Sequence, residues 1–470
     1  MSANSQADVP SVCARFEVVE SGCCPHDQEA IPCVVGRDIV IEPDRLGAFS
    51  LRGLPRRVDD LMLLAGAVAY ADKFTRRQVG LSWGRRLHVS LPVLEPDFWL
   101  QRGVSSLLVG TLNVLTGDKW DFKFTGRRKP LAHGRQAVLS FGDAPALVMP
   151  FSDGLDSLAT ARLTAAAEPG AGLILVTAGR VSDPDADWRV RYFKGRYHRV
   201  SVPFRLSRRR GAVRFREQSF RSRAFVFGVM AGLAAGLLGA ERILVSESGQ
   251  GTLGPSLTPV GNEAPDLRTH PAYTRSLAEL LRLVLDRHVH FSHPNLWRTK
   301  GETLTKLKDA GLAGDWWRTR SCARDARDVS HSSRRVQCGV CANCLLRRQS
   351  LMASGLGEHG DRYLWPRLAS SDLAGAAVDA ARETTRNDEQ HAVCGVLAMA
   401  ELAALDRLGQ NRPALDWATA ELAGVLDKSI ATVGQSLRRL LGAHRQEWDD
   451  FVDAQGPASF AAQWTGHVLC

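Results

Sequence analysis

The sequence predicts an α/β protein: a parallel-sheet core with a strand-rich α+β segment before it and an all-α segment after it. Three patterns carry this prediction. Between residues 145 and 290, apolar runs of strand length alternate with stretches of helical period. Short strands dominate from Arg15 to Lys129, and helical periodicity runs from Leu351 to the end. At 470 residues the chain is too long for one ordinary core. We divide it into an N-terminal α+β segment (1–144), a core (145–355) containing a cysteine module (322–344), and a helical C-terminal segment (356–470).

In the first segment, LHVSLPVLE near Leu87 and WDFKFTG near Trp120 alternate as strands, and DDLMLLAGAVAYADKF reads as a helix. The basic, Gly- and Pro-containing stretch Thr125 to Arg135 marks the approach to the first border. The core then opens with ALVMPF, a polar turn SDGLDS, the helical SLATARLTAAAE and a second apolar run GLILVTA. The pattern returns in kind with YHRVSVPF as a strand, FVFGVMAGLAAGLLGA as a buried helix and RILVSES as a further strand. Such alternation gives a parallel sheet covered on both faces, with ligands beyond the carboxyl ends of its strands. The loops at Ser152, Thr177 and Ser246 are therefore expected to share a crevice. AYTRSLAELLRLVLDR, AVCGVLAMAELAALDRL and IATVGQSLRRLLGAH all have helical period.

Composition narrows the class. A hydrophobic fraction of 44% and a charged fraction of 23% exclude a disordered or fibrous chain. The net charge of +10 and the pI near 9.3 favour polyanionic ligands such as nucleotides or nucleic acid, although an arginine-rich codon usage gives the same balance. The N-terminus has no basic region followed by an apolar run, and no stretch approaches the ~18 apolar residues of a membrane span, so a cytoplasmic protein is expected.

Two constellations carry chemistry. In FSDGLDS a strand ends, the chain turns at Gly154, and a helix opens near Ser157. A helix N-terminus presents free backbone N–H groups and the positive end of the dipole to an oligophosphate. Ser152 and Ser157 add hydroxyls, and Asp156 is placed either to cap the helix or to hold Mg²⁺. A capped strand-to-helix turn without a ligand is the plain alternative. The second constellation is Cys322, Cys338, Cys341 and Cys344, four of the ten cysteines. Four thiolates complete a tetrahedral zinc shell and leave no open position, which makes the site structural. Arg334, Arg335, Arg347 and Arg348 are near in sequence and would offset the thiolate charge. A zinc knuckle gripping nucleic acid is the rival, weakened by the few interleaved aromatics.

The loop resembles the SGGxDS signature of the PP-loop ATP pyrophosphatases, with Asp153 where the signature has its first glycine. Together with SC…CGxCxxCxxR it resembles QueC, the 7-cyano-7-deazaguanine synthase family, over residues 145 to 355. Arg223 resembles that family's Arg-Asn element, with Ala224 replacing the asparagine; PDLR at Pro265 to Arg268 resembles its YPDCR; TKGETLTKL at Thr299 resembles its lysine-led helix start. The resemblance implies a fold like that of the adenine nucleotide α hydrolases (the HUP group). It also implies that ATP activates 7-carboxy-7-deazaguanine by adenylation, as a ligase forming a C–N bond.

By the same resemblance, Ser152, Asp153, Gly154, Leu155, Asp156 and Ser157, with Thr177, bind ATP. Asp156, Lys300 and Arg268 act in the chemistry, and Arg223, Asp266 and Arg268 meet the substrate; Glu247 is added to the substrate set by its placement after the strand RILVS. Leu267 and Ala264 stand where the family has cysteine and tyrosine, so the nucleobase end of the pocket differs. Longer QueC-like proteins occur in bacterial anti-phage operons, the QatC group and type IV CBASS. There the resemblance implies transfer of the deazaguanine acid to the N-terminal glycine of a partner protein from the same operon. A protein acceptor needs roughly 800 Å² of docking surface on each side, which suits a chain with added segments. The alternatives are synthesis of the free nitrile from ammonia, and a non-catalytic basic scaffold that binds nucleic acid.

Overall fold

The structure, a computed structural model, describes residues 12–42, 55–78, 80, 82–131, 146–152, 154–178, 197–207, 209–210, 213–214, 217–324, 329–331, 334–358, 362–379, 383–407 and 412–466. It is a mixed α/β chain with two parallel sheets and many helices. The chain divides into two compact units. The first comprises Met1–Phe151, Glu168–Val245 and Gly261–Ser292; the second comprises Ser152–Ala167, Ser246–Val260 and His293–Cys470.

The first unit holds both sheets. One has the order β2-β1-β4-β5, from β1 (Val12–Val19), β2 (Ile31–Val34), β4 (Arg85–Val93) and β5 (Lys119–Gly126), and every ladder in it is parallel. The expected α+β character of this segment is corrected on this point, since the described strands of this sheet pair only in parallel. Residues 20–30 join the parallel β1 and β2 without a helix, and the buried Glu17 carboxylate holds that link by accepting from the His26 and Asp27 amides at 2.9 Å. A short strand, β3 (Ile39–Ile41), pairs antiparallel with β9 (Phe204–Leu206).

Helix α1 (Arg56–Phe74) is buried from Val58 to Asp72, as its apolar run predicts, yet it carries three acids into the core. Each is satisfied. Asp60 accepts from the Leu94 and Glu95 amides and the Trp99 indole, and Asp59 pairs with Arg127. Asp72 joins Arg77, Arg85 and Asp118 in a fully buried quartet of two cations and two anions, with Arg85 2.6 Å from Asp72 and 2.7 Å from Asp118. Burial alone would raise the Asp72 pKa, but Arg85 and Arg77 hold it below the usual carboxylate range. Two further helices, α2 (Pro96–Leu100) and α3 (Arg102–Thr116), complete the covering layer.

The second sheet has the order β13-β12-β6-β7-β8, again all parallel, from β6 (Ala146–Pro150), β7 (Gly172–Ala178), β8 (Tyr197–Val202), β12 (Arg242–Leu244) and β13 (His290–Ser292). A two-residue ribbon, β10 (Arg209–Arg210) with β11 (Val213–Arg214), precedes helix α5 (Arg223–Leu238). Gly228, Gly232 and Gly236 line one face of α5. A methyl group at any of them would collide with Leu277, Leu281 or Leu285 of α7 (Pro271–Leu285), so those leucines lie directly on the α5 backbone. Among the described residues the expected strand-helix alternation is present from β6 through α4 to β7, and again from β8 through α5 to β12 and through α6 and α7 to β13.

The second unit is mostly helical. It contains α4 (Leu155–Ala167), α6 (Gly249–Leu257), α8 (Lys300–Asp309), α9 (Ala342–Ala353), α10 (Leu373–Ala376), α11 (Arg386–Ala404), α12 (Arg412–Leu426), α13 (Ile430–Gln455) and α14 (Phe460–Gly466). A ribbon, β14 (Ser330–His331) with β15 (Arg334–Arg335), lies in the cysteine segment. One apolar core surrounds the four cysteines and a second gathers leucines of α6, α11, α12 and α13. Among the described residues no helix is long and apolar enough to cross a membrane.

Candidate functional site

The strand β6 ends in the serine loop, and α4 opens at Leu155, two residues earlier than the sequence suggests. Asp156 therefore lies within the first helical turn, where a carboxylate faces the positive end of the dipole. The loop is tied by its own hydroxyls. Ser152 Oγ accepts from the Gly154 amide at 3.1 Å and lies 2.9 Å from Ser157 Oγ. Ser157 Oγ lies 3.4 Å from the hydroxyl of Ser246, so two of the three loops expected to share a crevice meet. Thr160 braces the same loop from one turn along α4, donating to the Ser246 carbonyl at 3.1 Å and accepting from Asn295 at 2.9 Å. Thr177, at the end of β7, has its hydroxyl 2.8 Å from that of Ser201. Asp153 lies outside the described residues.

Lys300 is the centre of the arrangement. It is the first residue of α8, where a lysine is usually solvated, yet it is only 4% exposed. Its Nζ lies 2.8 Å from Asp156 Oδ2 and 3.9 Å from Glu247 Oε1. Burial would push its pKa down, but Asp156 and Glu247 hold it above the ordinary lysine value, so the ammonium stays charged. Local sequence explains the placement: Thr299 and Glu302 form a capping box that starts α8 at Lys300, and the Lys300 amide donates to Gln250 Oε1 at 2.9 Å. An ammonium, two hydroxyls and a helix N-terminus lie on adjoining turns, but Asp156 and Glu247 already balance the ammonium, so an anion is held there by displacing a carboxylate or together with a cation.

Behind Lys300 is a polar network that the sequence gives no local sign of. Glu447, from α13, accepts from the Thr299 hydroxyl and from the amides of Gln250 at 3.2 Å and Gln349 at 3.3 Å. Gly301 has no Cβ because Glu447 occupies that space. Burial pushes the Glu447 carboxyl up to about 7, against the lowering effect of its three donors. His444, one turn earlier, faces both glutamine amides with Nδ1, at 2.8 and 3.2 Å, and the Met399 carbonyl with Nε2 at 3.0 Å. Two donors at Nδ1 require the tautomer protonated at Nε2, and burial lowers the pKa to about 4, so the ring is neutral.

The other predicted substrate residues lie in the first unit. Asp266 is bound by Arg268, whose Nη2 lies 2.6 Å away, and by Arg221 at 3.4 Å. Burial would raise the Asp266 pKa, but the two arginines hold it below the carboxylate range. Arg221 is an addition to the expected set. It donates to the Ala264 and Pro265 carbonyls at 3.1 Å and stacks on Trp83 at 4.7 Å, fixing the PDLR segment. Its only sequence signal is its place two residues before Arg223. Arg223 stacks on Phe227 at 5.1 Å, and burial together with the Arg268 charge lowers its pKa.

The four cysteines converge as their spacing predicts. Cys322, Cys338, Cys341 and Cys344 are buried, with all four sulfurs within 4.8 Å of one another. Cys338 Sγ lies 3.7 Å from Cys344 Sγ, against the ~3.8 Å edge of a tetrahedron whose metal–sulfur bonds are ~2.3 Å. The Cys338 amide donates to Cys322 Sγ at 3.4 Å and the Cys341 amide to Cys338 Sγ at 3.3 Å, which suits sulfurs carrying negative charge. Cys341 is the N-cap of α9, so the helix delivers Cys344 one turn later. Buried Arg347 follows on that helix, donating to Thr319 at 2.7 Å and to Ser321 at 3.3 Å. The donor set can hold a metal ion such as zinc in a closed shell.

A scan against models of known protein families finds no match to this chain, and a comparison with curated proteins finds none either.

Proposed function

We propose that the chain uses ATP to activate a carboxylate and passes the acyl group to an amine. The observation that carries this reading is Lys300, buried at the start of α8 with its ammonium 2.8 Å from Asp156 in the first turn of α4. A buried, charged lysine beside a hydroxyl-lined helix N-terminus is suited to polyphosphate, whose charge has to be neutralised where water is scarce. In this reading β6, the Ser152–Ser157 loop and α4 belong to a PP-loop core of the HUP type. Lys300 exchanges Asp156 for a phosphate oxygen, and Asp156 becomes available to Mg²⁺, which would supply charge neutralisation at the phosphates.

The chemistry balances in two steps. A carboxylate oxygen attacks the α-phosphorus and pyrophosphate leaves; the amine nitrogen then attacks the acyl carbon, AMP leaves and the amine gives up a proton. Poor leaving ability of the carboxylate oxygen is what adenylation overcomes. Ser152, Gly154, Leu155 and Ser157 hold the phosphates through hydroxyls and backbone amides, and Lys300 steadies the departing pyrophosphate. The likeness of PDLR and of the cysteine segment to the QueC family makes 7-carboxy-7-deazaguanine the acid. Arg223, Asp266, Arg268 and Glu247 are assigned to it. The acceptor we assign is the N-terminal glycine of a partner protein in a bacterial anti-phage operon. Zinc in the four-cysteine shell is structural.

The test is intact-mass spectrometry on the chain with ATP, the deazaguanine acid and either ammonia or the neighbouring gene product. A mass gain on that product, with AMP and pyrophosphate released in equal amounts, is expected. Free nitrile with no mass gain on any protein would replace the acceptor by ammonia, and absence of ATP turnover in every mixture would overturn the reading.

A further inference from the structure

We propose that α12, the turn after it and the first half of α13 form a helix–turn–helix that reads duplex DNA. Leu402 of α11 and Leu405 just after it, Leu422 and Ala423 of α12, and Val433, Leu437, Leu440 and Leu441 of α13 share one core, so α11 supports the pair. Between Leu426 and Ile430 the chain turns in three residues. Asp427 takes the left-handed conformation at φ 51°, Lys428 follows, and Ser429 caps α13 by accepting from the Thr432 amide at 3.2 Å. Gly434 is buried at the crossing, where a Cβ would lie 3.3 Å from Thr419 of α12. A short turn with a left-handed residue, followed by a capped second helix, agrees with the helix–turn–helix, whose second helix enters the major groove by its N-terminal residues.

The outer face of α13 suits that partner. Lys428, Gln435 and Arg438 are exposed, and the side chains of these three make no hydrogen bond or ion pair with the described residues. Arg439 is committed to Glu302 at 2.6 Å, and Arg445 lies 3.5 Å from Asp406. Ile430 is 61% exposed at the first helical position, beside those donors. Such a set matches the major-groove edge of B-DNA: an amide for adenine, a guanidinium for guanine or phosphate, an apolar side chain for a thymine methyl.

Charge along α13 runs against helix stability, which is the second and independent sign. Residues 430–446 contain no acid, while Glu447, Asp449, Asp450 and Asp453 crowd the far end. The first turn holds no acidic residue and the last turn no basic one. The macrodipole favours the opposite order, so the positive end of α13, with Lys428 before it and Arg438 on its outer face, faces no acid of its own helix. The acids of α12, Asp416 and Glu421, precede the turn, and Asp416 lies 3.9 Å from Arg412. This inference is independent of the carboxylate chemistry.

Fluorescence anisotropy of the full chain with a labelled mixed-sequence duplex tests it. Binding is expected to weaken steeply between about 50 and 200 mM salt. K428A with R438A should weaken it at least ~10-fold and lower the salt slope by about two, one for each lost phosphate-neutralising cation. Q435A, which removes no charge, should leave the salt slope unchanged. Circular dichroism and metal content, equal in all variants, would show that the fold is kept. The proposal is overturned by no duplex binding at low salt, by binding that these variants leave intact, or by single strands or duplex RNA binding as tightly as duplex DNA.

Discussion

The Lys300 ammonium and the Asp156 carboxylate stand 2.8 Å apart, one at the first residue of α8 and the other in the first turn of α4. Both are largely buried, at 5% and 15% side-chain exposure, so neither charge is well served by water. Removing Lys300 leaves Asp156 uncompensated, which costs about 3–5 kcal/mol where a pair is buried, whereas removing Asp156 leaves Lys300 with Glu247 at 3.9 Å. K300A should therefore lower the thermal midpoint and reduce ATP–pyrophosphate exchange at least ~100-fold, as expected for a group that meets developing negative charge. D156N should lower the midpoint as well. Differential scanning calorimetry and radiolabelled exchange check both, and full exchange activity in K300A would remove Lys300 from the chemistry.

Glu447 and His444 give opposite pH dependences. Burial raises the Glu447 pKa to about 7, so the folded state keeps a proton that the unfolded chain has lost. That contribution is present below the unfolded value of ~4.5 and is lost as pH rises through about 7. His444, lowered to about 4, stays neutral when the unfolded ring would charge, so its contribution is lost as pH falls from ~6.5 towards 4. The two effects oppose each other between the unfolded values. E447Q removes one of them, and its thermal midpoint should fall more steeply than that of the wild type as pH is lowered from ~6.5 to ~4.5.

The cysteine shell should hold one tightly bound metal ion per chain, measurable by plasma mass spectrometry after extensive dialysis. C344S should lose most of that metal. Because metal binding to such a site contributes to folding free energy, its thermal midpoint should also fall, and strong chelators should lower that of the wild type at denaturant concentrations where the metal-loaded form stays folded.

Gly232 tests the packing of α5 on α7. A methyl group there meets Leu281, which is fully buried and cannot yield without displacing its neighbours. G232A should destabilise by about 1–3 kcal/mol, read from urea melts with an unchanged slope. The same substitution at Gly110, where no atom lies within 4 Å of the new Cβ, should be close to neutral or stabilising.

What was readable in the sequence was local. The serine loop, the four cysteines and the strand-helix alternation each depend on residues close together in the chain, and all three recur in the structure. The start of α8 was readable as well, since Thr299 and Glu302 form a capping box within four residues. Pairings set by tertiary packing were not. Nothing near Glu447 announces that it meets Thr299, and nothing near Arg221 announces that it clamps Ala264 and Pro265. The parallel pairing of β1 with β2 was not readable either, because pairing direction is set by tertiary packing, and the Glu17 carboxylate that ties their link meets amides nine and ten residues away.

The pairing of Asp156 with Lys300, and of Thr299 with Glu447, sets an order of events during synthesis. The serine loop leaves the ribosome 144 residues before its lysine, since 300 − 156 = 144, and Glu447 follows 147 residues after that lysine, since 447 − 300 = 147. At ~5–20 residues per second the nascent loop waits roughly 7–30 s for its counter-ion and about as long again for the clamp behind it. A chain cut short anywhere between Ser157 and Glu447 would carry a complete serine loop and still lack the clamp that ties Thr299, so such an interrupted product should be less stable than the full chain.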